Sequence, residues 1–284
     1  MKRRSLLLLL AGSGCFRVPR RELAFGRALI GLARDIAFVD ESQVTWSLTE
    51  LSRLVDEAES ALASSPQRSP ATVLSELLFG RWSFVREVAD TNLAFVCLPG
   101  VLERRRGSCV GLGTLFLALA DALGCSASGV MMPGHFYVRV QEQGGARNVE
   151  LLRAGEAMPD AWYGQRFPVP GGSAREYARP LSQSEVLGVV EYNVGNERRR
   201  QLRLSEARAA FSRATGLFPE LSEAHASLGA VEQLLGNLES AEASYRRACM
   251  ANPHLPGIEQ NLSLLAAERT TSTTPRACPL PPSY

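Results

Sequence analysis

One relation in the last third of the chain constrains its fold more than any other. Ala207, Phe211, Ala214 and Pro219 recur 34 residues later as Ala241, Tyr245, Ala248 and Pro253. Val194-Gly195 recurs at the same offset as Leu228-Gly229. Six matched positions at one offset describe a repeated packing unit. Glycine and alanine let helices approach closely, and an aromatic ring fills the gap between them. A proline stops the following helix, because it lacks the backbone N–H and clashes with the preceding turn.

Units of 34 residues with this pattern resemble the tetratricopeptide repeat, which has two antiparallel helices per unit. A third unit begins at Pro256, with Leu262 at the matching place, and supplies one helix. That half-unit is expected to cap the array. Two full units are fewer than the three or so that such arrays need. The array, residues 186–268, is therefore expected to pack against whatever precedes it. Its role stays open between a structural buttress and a surface for a protein partner.

The rest of the composition is that of an ordinary soluble chain. Of 284 residues, 45% are hydrophobic and 21% charged, which excludes a mostly disordered chain, a collagen-like fibre and a polytopic membrane protein. The length allows one large domain or two modest ones. A net charge of +2 gives no electrostatic case for nucleic acid. Six cysteines are too few for a disulfide scaffold, none forms a Cys-x-x-Cys pair, and there are three histidines. No metal site and no cofactor is expected.

Residues 1–15 read as an export signal. Met1-Lys2-Arg3-Arg4 is a basic start, Leu6 to Ala11 an apolar run, and Gly12-Ser13-Gly14 a small-residue stretch before Cys15. This resembles a bacterial lipoprotein signal, which implies a lipid on Cys15 and a chain tethered to a membrane, facing the periplasm or the cell exterior. Gly12 departs from that pattern, where leucine is usual. The apolar run is far shorter than the roughly 20 residues that span a bilayer. A cytoplasmic chain with a misassigned start is the competing reading.

Residues 16 to about 85 read as helical. Leu51, Leu54, Val55, Ala58, Ala61 and Leu62 follow the spacing of one buried helix face. Ser47-Leu48-Thr49-Glu50 is expected to supply the N-cap. Another helix is expected from Thr72 to Phe79. Gly171-Gly172-Ser173 opens an expected polar linker over 171–185, and residues 269–284 form an expected disordered tail rich in Thr, Ser and Pro.

Residues 86 to about 170 carry the chemistry. Cys109, Leu112, Phe116, Leu119 and Leu123 are spaced as one stripe of a helix that ends at Gly124. Ser108 is a suitable N-cap, so Cys109 falls in the first turn, where unpaired N–H groups and the helix dipole favour the thiolate. A small buried core cysteine is the competing reading. Pro133-Gly134-His135-Phe136-Tyr137-Val138-Arg139-Val140 alternates as a strand that begins near His135. A turn over Gln141 to Gly145 leads to a returning strand, Asn148 to Leu152, which carries Glu150. A turn centred between residues 142 and 143 sets His135 opposite Glu150; one centred on Gly144-Gly145 leaves them about four residues apart. Glu142 and Glu156 are alternative carboxylates.

The order of cysteine at a helix start, histidine on a strand and carboxylate on the next strand resembles the transglutaminase-like superfamily, a papain-like cysteine fold. The runs LPGVLERRRGSCVGLGTLFLALADALG and GVMMPGHFYVRV resemble the bacterial SirB-type branch, in which tetratricopeptide repeats commonly follow the core. The resemblance covers about residues 45–268. It implies an α+β fold: a transglutaminase-like core over 16–170, with helices packed on a small antiparallel sheet, then the helical array. It also implies Cys109 as nucleophile, His135 as base and Glu150 as the orienting acid, acting on a peptide or protein amide. Aspartate is commoner at the third place. A scaffold of the same fold, with the repeats holding a protein partner, is the alternative.

Two further features are open in the sequence. Arg104, Arg105 and Arg106 suggest either phosphate binding or a solvated helix end, and the second is preferred. Trp162-Tyr163 and Phe167-Pro168-Val169-Pro170 suit either a cleft wall or packing. Cys109 and Cys125 lie about 24 Å apart on one intact helix, too far for a disulfide.

Overall fold

A computed structural model describes residues 23–87, 92–172 and 175–268. The expected signal with Cys15 and the expected tail, residues 269–284, lie outside the described residues.

Helix α1 (Ala24–Asp35) turns Phe25, Leu29, Ile30 and Ala33 inward. Helix α2 (Glu41–Ala63) begins earlier than its expected cap. The Asp40 carboxylate accepts from the Gln43 backbone N–H at 2.9 Å, and the Gln43 side chain accepts from the Asp40 N–H at 3.1 Å, a reciprocal capping box. The assignment of Ser47–Glu50 as the cap is therefore corrected. Ser47 lies inside the helix, where its hydroxyl donates to the Gln43 carbonyl at 2.7 Å. The stripe Leu51, Leu54, Val55 and Ala58 is buried, with Ala61 and Leu62 packed at its edge.

Ser69 caps α3 (Pro70–Ser75), which has proline in its first turn and runs on into a π-helical turn, Glu76–Arg81. Two short elements, β1 (Val85–Arg86) and α4 (Leu93–Val96), precede α5 (Leu98–Arg104). Arg105 then turns left-handed, with φ 52°. That reversal lets β2 (Arg106–Gly107) pair in parallel with β1, Arg86 opposite Gly107.

The central helix is α6 (Cys109–Ala122), buried at every position except Asp121. A helix this apolar all round must be enclosed on all sides. Gly111 makes this possible on one side: a Cβ there would lie 2.1 Å from the Phe95 carbonyl oxygen. The helix ends at Leu123, followed by left-handed Gly124, as its stripe predicts.

Against α6 lies a five-stranded antiparallel sheet in the order β6-β5-β4-β3-β7. Its strands are β3 (Ala127–Met132), β4 (His135–Glu142), β5 (Gly145–Glu150), β6 (Glu156–Ala157) and β7 (Pro180–Leu181). Strand β3 carries no clear alternation and has no counterpart in the sequence reading. Pro133-Gly134 is the turn between β3 and β4, with Gly134 at φ 66°, the conformation a glycine after proline supplies. Phe136, Val138, Val140 and Val149 face the core with α6. The opposite face carries Val130, Met132 and Tyr137, covered by Tyr163 of α7 (Asp160–Arg166).

Residues 171–185, expected as a polar linker, are instead partly built into the fold. Tyr177 and Glu176 are buried, Ala178 N–H donates to the Met131 carbonyl, and β7 pairs with β3. Helices α8 (Gln183–Arg200), α9 (Leu204–Leu217), α10 (Ser222–Leu234), α11 (Leu238–Ala251) and α12 (Ile258–Glu268) follow. The 34-residue relation is visible in their contacts. Gly195 of α8 receives the Phe211 ring, and Gly229 of α10 receives the Tyr245 ring. Val186, Val189, Val190, Ala214, Phe218, Leu221 and Ala224 join the main core, so the first helix pair is continuous with the sheet-bearing part. Among the described residues, no helix is long and apolar enough to cross a membrane.

Candidate active site

His135 opens β4 directly after the Pro133-Gly134 turn, and Glu150 closes β5. The β4–β5 register pairs Val138 with Val149 and Glu142 with Gly145, so the turn is Gln143-Gly144. Extending that register sets His135 across from Leu152 and Glu150 across from Tyr137. Neither register considered from the sequence occurs; the true one lies midway. A two-residue offset keeps Glu150 on the same sheet face as His135, because strand side chains alternate with period two. Diagonal neighbours on one face remain within reach of long side chains.

They do meet. His135 Nε2 lies 2.8 Å from Glu150 Oε2, with the side chains 4% and 1% exposed. The other carboxylate oxygen, Oε1, accepts from the Leu152 N–H at 3.0 Å. A carboxylate partner makes Nε2 the protonated ring nitrogen and leaves Nδ1 as an acceptor. The imidazole lies flat on the Phe167 ring, with centroids 4.2 Å apart and planes at 9°. Glu142 accepts from Ser69 and from the Ala71 N–H, and Glu156 pairs with Arg153 at 2.6 Å. The alternative carboxylates thus have other partners.

Cys109 stands at the first position of α6 and is 7% exposed. The Ser108 hydroxyl caps the helix, accepting from the Gly111 N–H at 3.2 Å. One turn along the same face, Gly113 meets Phe136 and Leu151, the chain neighbours of His135 and Glu150. Cys97, Cys109 and Cys125 are not in disulfides. Burial pushes the Cys97 thiol up to about 12.

A cavity of about 360 Å³ opens over the pair. Its lining includes His135, Glu150, Trp162, Phe167, Arg86 and Arg166. The aromatic segment both walls the cavity and packs, though on the sheet face and not against the repeats. Trp162 and Phe167 wall the cavity, while Tyr163 packs on Tyr137 with centroids 3.7 Å apart. Burial, reinforced by the Glu150 charge, raises the Tyr163 phenol well above its ordinary value. Arg86 was not legible as a site residue; it sits on a two-residue strand without any pattern. The arginine run is largely ion-paired. Arg105 pairs with Glu50 and covers the Phe84 ring, and Arg106 pairs with Glu87 at 3.1 Å. Among the described residues, no group of three His, Cys, Asp or Glu side chains is placed to hold a metal ion.

A helix start bearing cysteine is packed on an antiparallel sheet bearing a His–Glu pair, which makes this a mixed helix-and-sheet fold with a candidate thiol site. Residues 45–188, about half of the chain, match the family described as the transglutaminase-like superfamily, and the chain belongs to it. It is similar to a UPF0162 protein of Vibrio cholerae serotype O1, 34% identical over 117 residues, 40% of this chain and 43% of that protein. It is also similar to the UPF0162 protein BU173 of Buchnera aphidicola subsp. Acyrthosiphon pisum, 32% identical over 99 residues, 32% and 35% of the two chains. The chain thus spans less than half the length of these relatives. Among solved structures, a crystal structure of menin, described as revealing the binding site for Mixed Lineage Leukemia (MLL) protein, overlaps 84% of this chain and 69% of that one, at 12% identity and a TM-score of 0.40.

Proposed function

We propose that this chain is a cysteine acyl transferase or hydrolase acting on a peptide or protein amide, with Cys109 as nucleophile, His135 as base and Glu150 as the group that orients it. The observation that carries this reading is the buried 2.8 Å hydrogen bond between His135 and Glu150. It fixes the tautomer in which Nδ1 accepts the thiol proton. The thiolate then attacks the amide carbonyl, and backbone N–H groups in the first turn of α6 hold the developing oxyanion. The C–N bond breaks, the leaving amine takes the proton from the imidazolium, and a thioester on Cys109 remains. Water or a second amine, deprotonated by His135, releases the acyl group as acid or as new amide.

On this reading the chain is of the SirB type, helices α8 to α12 are a tetratricopeptide array that holds a protein partner, and Cys15 carries a lipid. A non-catalytic scaffold is the second reading, favoured by the low exposure of Cys109. A cysteine-directed activity probe decides between them. Labelling of Cys109 well below pH 8, abolished in Cys109→Ala and reduced in His135→Ala, supports the enzyme. No labelling in a folded chain supports the scaffold. Mass spectrometry of the membrane fraction tests the lipid: an intact Met1 on a protein absent from that fraction overturns it.

A further inference from the structure

The cavity over the His135–Glu150 pair is lined by three arginines and one carboxylate, Glu150. Arg86, Arg153 and Arg166 line it, and all three are exposed. Arginine is always charged, so the mouth is basic at every working pH. Among the described residues, only Arg153 of the three has an ion-pair partner, Glu156 at 2.6 Å. Arg86 makes one long contact, Nη1 to the Leu152 carbonyl at 3.5 Å. Arg166 has no ion pair among the described residues. Elsewhere around the same core, arginines are matched with carboxylates: Arg105 with Glu50, Arg106 with Glu87, Arg139 with Asp160. Among the described residues, two guanidinium groups without an ion pair therefore line a cavity that reaches the buried imidazole.

The walls and size narrow the occupant. Trp162 and Phe167 supply apolar faces beside the guanidinium groups. About 360 Å³ is at the small end of ligand pockets, which run from roughly 300 to 1,000 Å³. It admits one or two side chains. A guanidinium grips a carboxylate through two parallel N–H···O bonds, a directional match as well as a charge match.

We infer that the site takes an acidic peptide, in which an Asp or Glu side chain beside the reacting carbonyl is held by Arg86 and Arg166. This rests on the catalytic reading above and adds its substrate class. In an exposed mouth the attraction is screened by salt, so selectivity falls as ionic strength rises.

The test compares iodoacetate, an anion, with neutral iodoacetamide on the full-length protein, reading alkylation of each cysteine by mass spectrometry. Both reagents lose iodide to the attacking thiolate and differ in charge. The expected result is a rate ratio, anion over neutral, about threefold or more higher at Cys109 than at Cys125, as a local positive potential requires. The excess, read as the ratio of the two reagents so that any change in the thiolate fraction cancels, disappears in the Arg86→Gln/Arg166→Gln variant and at about 0.5 M NaCl. A blocked glutamate peptide slows alkylation of Cys109 more than its glutamine counterpart. Equal ratios at both cysteines, or equal protection by the two peptides, overturn the acidic preference and leave the nucleophile assignment standing. Failure of Cys109 to react with either reagent overturns the nucleophile assignment and the preference with it.

Discussion

His135 and Glu150 share a 2.8 Å hydrogen bond although they are not opposite one another in the sheet. The β4–β5 register, extended one pair beyond Val138 and Val149, sets Glu150 across from Tyr137, so the bond runs diagonally between the strands. Both carboxylate oxygens accept, one from the imidazole and one from the Leu152 N–H. An amide cannot do this, since its nitrogen is a donor. Glu150→Gln is therefore expected to strand one buried donor and to destabilise the fold by about 1–3 kcal/mol, measured by urea unfolding. On the proposed mechanism it lowers activity less than His135→Ala, because Glu150 orients the base and carries no proton.

Gly113 lets α6 lie against the sheet beside this pair. A Cβ there would stand 2.5 Å from the Phe136 ring and 3.2 Å from a Leu151 methyl. Gly113→Ala is expected to destabilise by about 1–3 kcal/mol through overpacking, despite the better helix propensity of alanine. Gly31, with open space around it, is the control: Gly31→Ala is expected to be neutral or stabilising in the same unfolding experiment.

Glu176 and Glu223 give the junction with the helical array a pH dependence. Glu176 accepts from the Ser222 hydroxyl and Asn252, Glu223 from the Tyr177 hydroxyl, and one oxygen of each has no hydrogen-bond partner among the described residues. Burial raises both carboxyls, and for Glu223 the Glu176 charge adds to it. A carboxyl raised in the folded state contributes stability that is full below its ordinary value of 4.5 and is lost as pH rises through the folded value. The melting temperature is expected to fall over that window. Glu176→Gln should flatten the fall and raise the melting temperature at about pH 8, read by calorimetry across pH.

Cys97 provides a contrast with any reactive thiol. Its value of about 12 keeps it protonated at neutral pH, and it is 1% exposed. Maleimide at neutral pH should leave Cys97 unmodified in the folded chain and label it fully in denaturant. Modification of the native protein at a rate matching Cys125 would contradict its burial.

The helical array is expected not to fold well by itself. Its first pair gives Val186, Val189, Val190, Ala214 and Phe218 to the core shared with α6 and the sheet. Residues 186–284 expressed separately expose that face and should show a broad, low-temperature melt. A cooperative high-temperature melt would show independence from the core.

Some of this was legible in the residues alone. Helix α6 could be read from its stripe, its Ser108 cap and its Gly124 stop because those signals are local, set by neighbours within a turn. The same holds for the Leu51–Ala58 face and for the 34-residue relation that seats Phe211 on Gly195 and Tyr245 on Gly229. The start of α2 was misread: its cap is the Asp40–Gln43 box, which lies upstream of Ser47 and closes both ways.

Tertiary structure decided the rest. Strand β3 lacks its own alternation because it is paired on both sides and largely buried, so burial by α6 and the neighbouring strands overrides local pattern. The register that joins His135 to Glu150 depends on which two residues make the turn, a choice of small local energy settled by packing Val138 and Val149 into one core. The stacking of Phe167 on His135 and the placement of Arg86 at the cavity join residues that are far apart in the chain. Sequence fixes which residue types are available and which face of each element they share. Contacts across that distance exist only once the elements have packed, because packing geometry has no signature in local spacing.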